Sequence, residues 1–272
     1  MNKKIISGLL IAAIIGLLAS CGNGGDKSFV AFQKVQHTMQ TLEDASYEIN
    51  AGLQISSKDA DGKTTPLSTS TNMILIGREV VHAKNNIDRM LKTTYHMGEQ
   101  GIDTTGTSKG ANERFTIYMK RNMTYIDMNG IKLKSNQPNP PQGIGMTDYN
   151  AQKLLGISKD IVSNLTISKE GDNTIYFFLL KPRQAMDYFK NSVTSAEQTM
   201  KGYGNGTGEL KKVNVIITAD RDNKVTTMSI DAALQTKLDT LTTDFHYQLS
   251  IKYTSINTGL KINFPDLSQY TK

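Results

Sequence analysis

Period-two alternation, broken by turn residues and resumed many times over, constrains this chain more than any other feature. Tyr47, Ile49, Ala51, Leu53 and Ile55 alternate with Ser46, Glu48, Asn50, Gly52 and Gln54. That is the pattern of a half-buried strand, whose successive side chains point to opposite faces. Comparable segments follow at Met73–Val81, Ile87–Met97, Glu113–Lys120, Met123–Met128 and Ile131–Lys134. More come at Leu165–Ser168, Thr174–Leu180, Val213–Ala219, Val225–Leu234 and Phe245–Tyr253, with Leu260–Phe264 as a short last strand before Pro265. Several joints carry hairpin chemistry. Asn129-Gly130 is the strongest two-residue turn signal, and Glu170-Gly171-Asp172-Asn173 and Asp220 to Lys224 supply further turns. Strands joined in this way pair antiparallel, which excludes an alternating βαβ architecture.

Three stretches change to helical spacing. Ser28 is a competent N-cap, and Phe29, Phe32, Val35, Met39 and Leu42 follow as one apolar stripe. Pro182 stands where a first helical residue would, and Met186, Phe189, Val193, Ala196 and Met200 form a second stripe that ends at Gly202. A shorter helix runs from Thr147 or Asp148 to Leu155, with a further turn over Ile157 to Asn164. The expected fold class is therefore α+β: a curled, half-barrel antiparallel β-sheet wrapped over two or three amphipathic helices.

The N-terminus has a different character. Lys3 and Lys4 precede an apolar run from Ile5 to Ala19, too short to span a bilayer, which needs about 20 residues. The run closes on Leu17-Leu18-Ala19-Ser20-Cys21, which reads as a lipobox. Residues 1–20 are then a removable lipoprotein signal peptide, cut before a cysteine that takes up a diacylglyceryl thioether. Residues 21–27 are a flexible tether and residues 28–272 a single domain. More than one acyl chain, at about 0.8 kcal/mol per buried methylene, makes a stable anchor. The expected location is a cell membrane, with the domain lipid-anchored and facing away from the cytoplasm. Cys21 is the only cysteine, so no disulfide supports the fold.

Other chemistries find little support. The formal net charge of +6 is scattered, without a block of like charges, so no nucleic-acid partner is expected. His37, His82, His96 and His246 are far apart, and the chain has neither HExxH nor CxxC, so no metal is expected. Asp59/Asp61/Gly62 and Asp220/Asp222/Asn223 echo calcium loops but lack the terminal glutamate, and hairpin turns explain both. No GxSxG elbow is present. The expectation is a protein that is not an enzyme and carries no cofactor.

The chain resembles the exported lipoproteins of the lipoprotein-carrier fold, the LolA/LolB and LppX/LprG type. It is most similar in style to Gram-positive lipoproteins of that architecture whose function is unknown. The residues that bear the likeness are Cys21 with its lipobox, the helix-to-strand passage from Phe32 to Ile55, and the hairpin Tyr125-Ile126-Asp127-Met128-Asn129-Gly130. Val213 to Ile230 with its turn, and Phe264-Pro265-Asp266, complete it. The resemblance implies an apolar cavity between sheet and helices that accepts acyl chains, with a role in carrying or handing off lipids or lipoproteins. It brings no catalytic residues. The two stripes then supply the cavity wall: Phe32, Val35, Met39, Leu42, Met186, Phe189, Val193 and Met200. Flexible methionine at three of these eight positions suits chains of differing length. The expected partners are the membrane and a lipid or acylated ligand, and the expected state is a monomer. The rival reading is a non-catalytic surface or envelope interaction module whose core is filled.

Overall fold

A computed structural model describes residues 25–64, 69–83, 86–98, 112–121, 123–135, 156–186, 207–238 and 241–271. It opens with helix α1 (Gly25–Gln40). The strands are β1 (Asp44–Lys58), β2 (Thr69–Ala83), β3 (Asn86–Gly98), β4 (Asn112–Lys120), β5 (Met123–Met128) and β6 (Ile131–Ser135). After these come β7 (Val162–Glu170), β8 (Asn173–Leu180), β9 (Thr207–Ala219), β10 (Val225–Leu238) and β11 (Leu241–Ile256). All eleven belong to one antiparallel sheet in the order β6-β5-β4-β3-β2-β1-β11-β10-β9-β8-β7.

Neighbours in sequence are neighbours in the sheet, with a single exception. β1 pairs with β11, from Ala45 against Ile256 to Lys58 against Thr242, whereas β6 and β7 do not pair. Parity explains the gap. In an odd-numbered set of strands that alternate in direction, the first and last point the same way, so β6 and β7 cannot meet as an antiparallel pair. The sheet has its two edges there. Asp44, Ala83, Ala219, Val225 and Ile256 mark one rim, called upper here; Lys58, Thr69, Leu180 and Leu241 mark the lower one.

The expected α+β class is corrected. The described chain is dominated by strands, six of them of 13 to 16 residues, and not by a sheet wrapped over two or three amphipathic helices. Among the described residues α1 is the one long helix, joined by a short helical stretch at 182–186 and a 3-10 turn at Leu267–Gln269. The expected helix ending at Leu155, and most of the second stripe, lie outside the described residues. Two smaller expectations also change. Val162–Asn164 opens β7 instead of continuing a helical turn. Its alternation is interrupted because Asn164 adopts φ 52° and the register slips between Ser163 and Thr166, which is how a bulge hides a strand from a period-two reading. Leu260–Phe264 joins no strand.

The inner face of the sheet carries the core. Met73, Leu75, Leu91, Ile117, Phe178, Val215, Ile217, Met228, Ile230, Leu234, Phe245, Leu249 and Ile251 are buried in one cluster with Phe32, Val35 and Met39 of α1. α1 lies across this face beside β7 and β8. Phe32 meets Tyr176 and Phe178 at ring-centroid distances of 5.6 and 5.2 Å, and the Gln36 side-chain amide donates to the Ile157 carbonyl at 2.8 Å. The helix therefore also positions the turn that feeds β7.

Two tertiary clasps hold the ends of this arrangement. At the upper rim, the Asp44 carboxylate accepts from the Thr258 and Gly259 amides at 3.0 and 2.8 Å and from the Thr258 hydroxyl at 3.2 Å. Asn257, at φ 53°, accepts from the Glu43 amide at 2.8 Å and donates to the Thr41 carbonyl at 3.3 Å. The exit of α1 is thus tied to the exit of β11. The C-terminal strap then reaches the outer face of β4 and β5, where Tyr270 is buried against Tyr118 and Tyr125. The Lys134 amide donates to the Thr271 carbonyl at 2.7 Å, so the strap also covers part of the β6 edge.

Candidate functional site

The inner face is filled unequally. Beside α1 it is solid: Phe32, Phe178, Val215, Ile217 and Met228 have no exposed surface. Toward the β6 edge the same face stands more open. Ile117 is buried, and Phe115, Met119 and Ile126 are partly buried. Leu133, paired with Ile126, is 41% exposed, and Ile131, paired with Met128, is 56% exposed. Strand alternation puts Ile126, Ile131 and Leu133 on one face, because directly paired residues point the same way and residues two apart share a side. These are apolar side chains on a core-facing surface that runs out to the β6 edge, where the strap residue Thr271 bridges Leu133.

The expected wall residues Phe32, Val35 and Met39 on α1, and Leu42 just beyond its end, are all buried in the core cluster. Met186 is partly buried against that cluster. Phe189, Val193 and Met200 lie outside the described residues, as does Cys21. The structure thus brings Met186 to the same core as the α1 stripe. The open part of the inner face is instead made by β4–β6, which sequence reasoning had not assigned to the cavity wall. The signal was there: Ile126 on β5 and Leu133 on β6 sit symmetrically about Asn129-Gly130, whose turn fixes their register.

A polar group interrupts the inner wall near the upper rim. Arg89 donates from Nε and Nη2 to Glu79 Oε2 at 3.2 and 2.9 Å, across the directly paired positions of β2 and β3. The Tyr47 hydroxyl makes a long contact to the same oxygen at 3.5 Å, and its ring meets Tyr253 edge-on. Burial, reinforced by the Glu79 carboxylate, pushes the Tyr47 and Tyr253 hydroxyls far above the usual phenol range. Burial alone takes Tyr247 up to about 12. All three therefore stay neutral donors near neutral pH. The Glu79–Arg89 pair neutralises itself and fixes the β2–β3 register, so it offers no net charge to a ligand. In sequence, Glu79 betrays itself by sharing the inward parity of Met73 and Leu75.

At the foot of α1 a cleft of about 630 Å³ lies between Phe29, Val162 and Leu165 on its apolar side and Lys159, Asp160 and Lys181 on its polar side. The Lys181 ammonium donates to the Asp160 carbonyl at 2.6 Å. The suspected calcium loops are hairpin turns. Asp59 Oδ1 accepts from the Asp61 and Lys63 amides, and Asp220 Oδ1 from the Asp222 and Lys224 amides. Among the described residues no set of three His, Cys, Asp or Glu is placed to hold a metal ion. Among them, too, no helix is long and apolar enough to cross a membrane.

No family model and no curated protein matches this chain. One solved structure with some likeness is a β-barrel-like protein of a domain of unknown function, DUF1849, from Brucella abortus. It is 8% identical, with a TM-score of 0.20, over 79% of this chain and all of that one.

Proposed function

We propose that the chain is a non-catalytic, membrane-anchored lipoprotein that holds an acyl chain of a lipid or acylated protein against the open part of its inner face. The observation that carries this reading is the exposure of Ile131 and Leu133 beside Ile126 on a surface that elsewhere forms the core. Exposed apolar area of this kind is costly in water, and its lining lacks dispersion partners. Acyl chains at a membrane surface are the nearest material to cover it. The sequence LLASC at Cys21 supports the anchor, and hence a location on the outer side of a cell membrane. Burying about ten methylenes contributes about 8 kcal/mol before ordering costs are subtracted.

The solid packing under α1 favours the rival, an interaction module with a filled core, for that half of the sheet only. Titration with a fluorescent long-chain fatty acid separates the two. The expectation is saturable binding in the micromolar range or better, weakened about tenfold or more by Leu133→Arg or Ile126→Trp at unchanged circular dichroism. Equal affinity in these variants, or no saturable binding, leaves the module reading in place.

A further inference from the structure

The open part of the inner face ends, on its inward side, at a hydroxyl without a partner. Among the described residues two buried side-chain oxygens make no hydrogen bond, Thr93 Oγ1 and Asn214 Oδ1. Asn214 stands between the inward-facing Val213 and Val215 on β9, so it belongs to the outer face. Thr93 is 3% exposed and faces inward: it shares the parity of Leu91 on β3 and is paired directly with Leu75 on β2 and Phe115 on β4. Buried polar side chains almost always find a partner. Valine would fill the same β-branched shape without leaving a dry hydroxyl.

Register places that hydroxyl at the end of a row. Thr93 pairs with Phe115, Phe115 with Met128, and Met128 with Ile131. Exposure rises along these four, from Thr93 through the half-buried Phe115 and Met128 to Ile131 at the β6 edge. With strands about 4.8 Å apart, the row spans about 14 Å. The adjoining row, Leu91, Ile117, Ile126 and Leu133, is apolar throughout. Neither row holds an ionisable group. Arg89, in the next row toward the upper rim, is engaged with Glu79.

We infer that this row seats a single-chain lipid head first: an uncharged hydroxyl or carbonyl oxygen at the end of the chain hydrogen-bonds Thr93 Oγ1, and the chain runs out over Phe115, Met128 and Ile131. The inference rests on the acyl-chain reading above and narrows it. A chain entering tail first sets its terminal methyl against the hydroxyl and leaves it unpaired. An ionised carboxylate or phosphate at the inner end loses its water and meets no cation in either row. A two-chain phospholipid has to bury its whole headgroup to reach Thr93.

The test sets decanol against decane, each supplied from the vapour at fixed activity, as competitors of the fluorescent fatty acid on the full chain. Displacement of that probe reports occupancy whichever way round the probe itself lies. The parent should prefer decanol. That preference should fall about tenfold in Thr93→Val, the loss of one hydrogen bond in a dry site, and persist in Thr93→Ser, which keeps the hydroxyl. Thr93→Ala gives the same readout with a smaller side chain, should the valine variant fold poorly. A parent with no preference for decanol, or a preference unchanged in the hydroxyl-free variants, overturns this inference alone, since the fluorescent acid still binds. No saturable binding of the fluorescent acid overturns the acyl-chain reading and this inference with it.

Discussion

Gly77 shows how one residue without a side chain fixes the inner wall. A Cβ built there would lie 2.1 Å from Tyr47 Cε2 and 2.4 Å from its Cζ, so the Tyr47 ring sits directly over the Gly77 backbone. Tyr47 cannot easily move away, being buried, in contact with Glu79 and edge-on to Tyr253. Gly77→Ala should therefore destabilise by about 1–3 kcal/mol. Most of that cost should vanish in a Tyr47→Ala background, as a denaturant double-mutant cycle would reveal. Asp44 acts through its charge. Burial pushes its carboxyl up, but the Thr258, Gly259 and Leu260 amides and the Thr258 hydroxyl together hold it below the ordinary value. A depressed folded pKa means that the stabilisation is present above the unfolded value of about 3.9 and is lost as pH falls through the folded one. Asp44→Asn should cost about 1–3 kcal/mol at neutral pH. The gap between variant and parent, followed by thermal melts, should close below about pH 4.

At the scale of elements, the β6 edge and its strap are the place to look. Tyr270 is 5% exposed, lies edge-on to Tyr118 and Tyr125, and has the Lys132 ammonium 5.7 Å from its ring centre. Tyr270→Ala should cost about 3 kcal/mol. It should also speed hydrogen exchange at the Lys134 amide, which donates to Thr271, with little change at the Ile251 amide inside β11. The strands themselves were largely legible in the sequence, because alternation is imposed locally by a sheet with one buried face and because Asn129-Gly130 and Asp220 to Lys224 announce their turns. The opening of β7 was not, since the bulge at Asn164 breaks its period. The weight given to helices was too large for a physical reason: an amphipathic stripe says that a helix needs a cover, not how much of the sheet it covers in return. The open inner surface at β5 and β6 was hidden for another reason. Exposure of Leu133 depends on what fails to pack over it, and no local pattern records that.

For the whole molecule, the pairing of β1 with β11 decides how the parts become one. β1 to β6 and β7 to β11 are each laid down as strands beside their sequence neighbours, while the junction between the two sets joins residues such as Ala51 and Leu249. Those partners are roughly 200 residues apart in the chain, and contacts of that separation demand the costliest loop closure. Each half can gain structure early, but neither buries its side of the core until the other arrives. Until then β1 and β11 present two long, bare strand edges, Asp44–Lys58 and Leu241–Ile256, open to pairing with other chains. The barrier to folding should therefore lie at their docking. Leu249→Ala, in stopped-flow refolding, should slow folding by a larger share of its equilibrium cost than Ile117→Val on β4 does. The same step makes this chain prone, when crowded and half-formed, to exchanging one half of its sheet with a neighbour's.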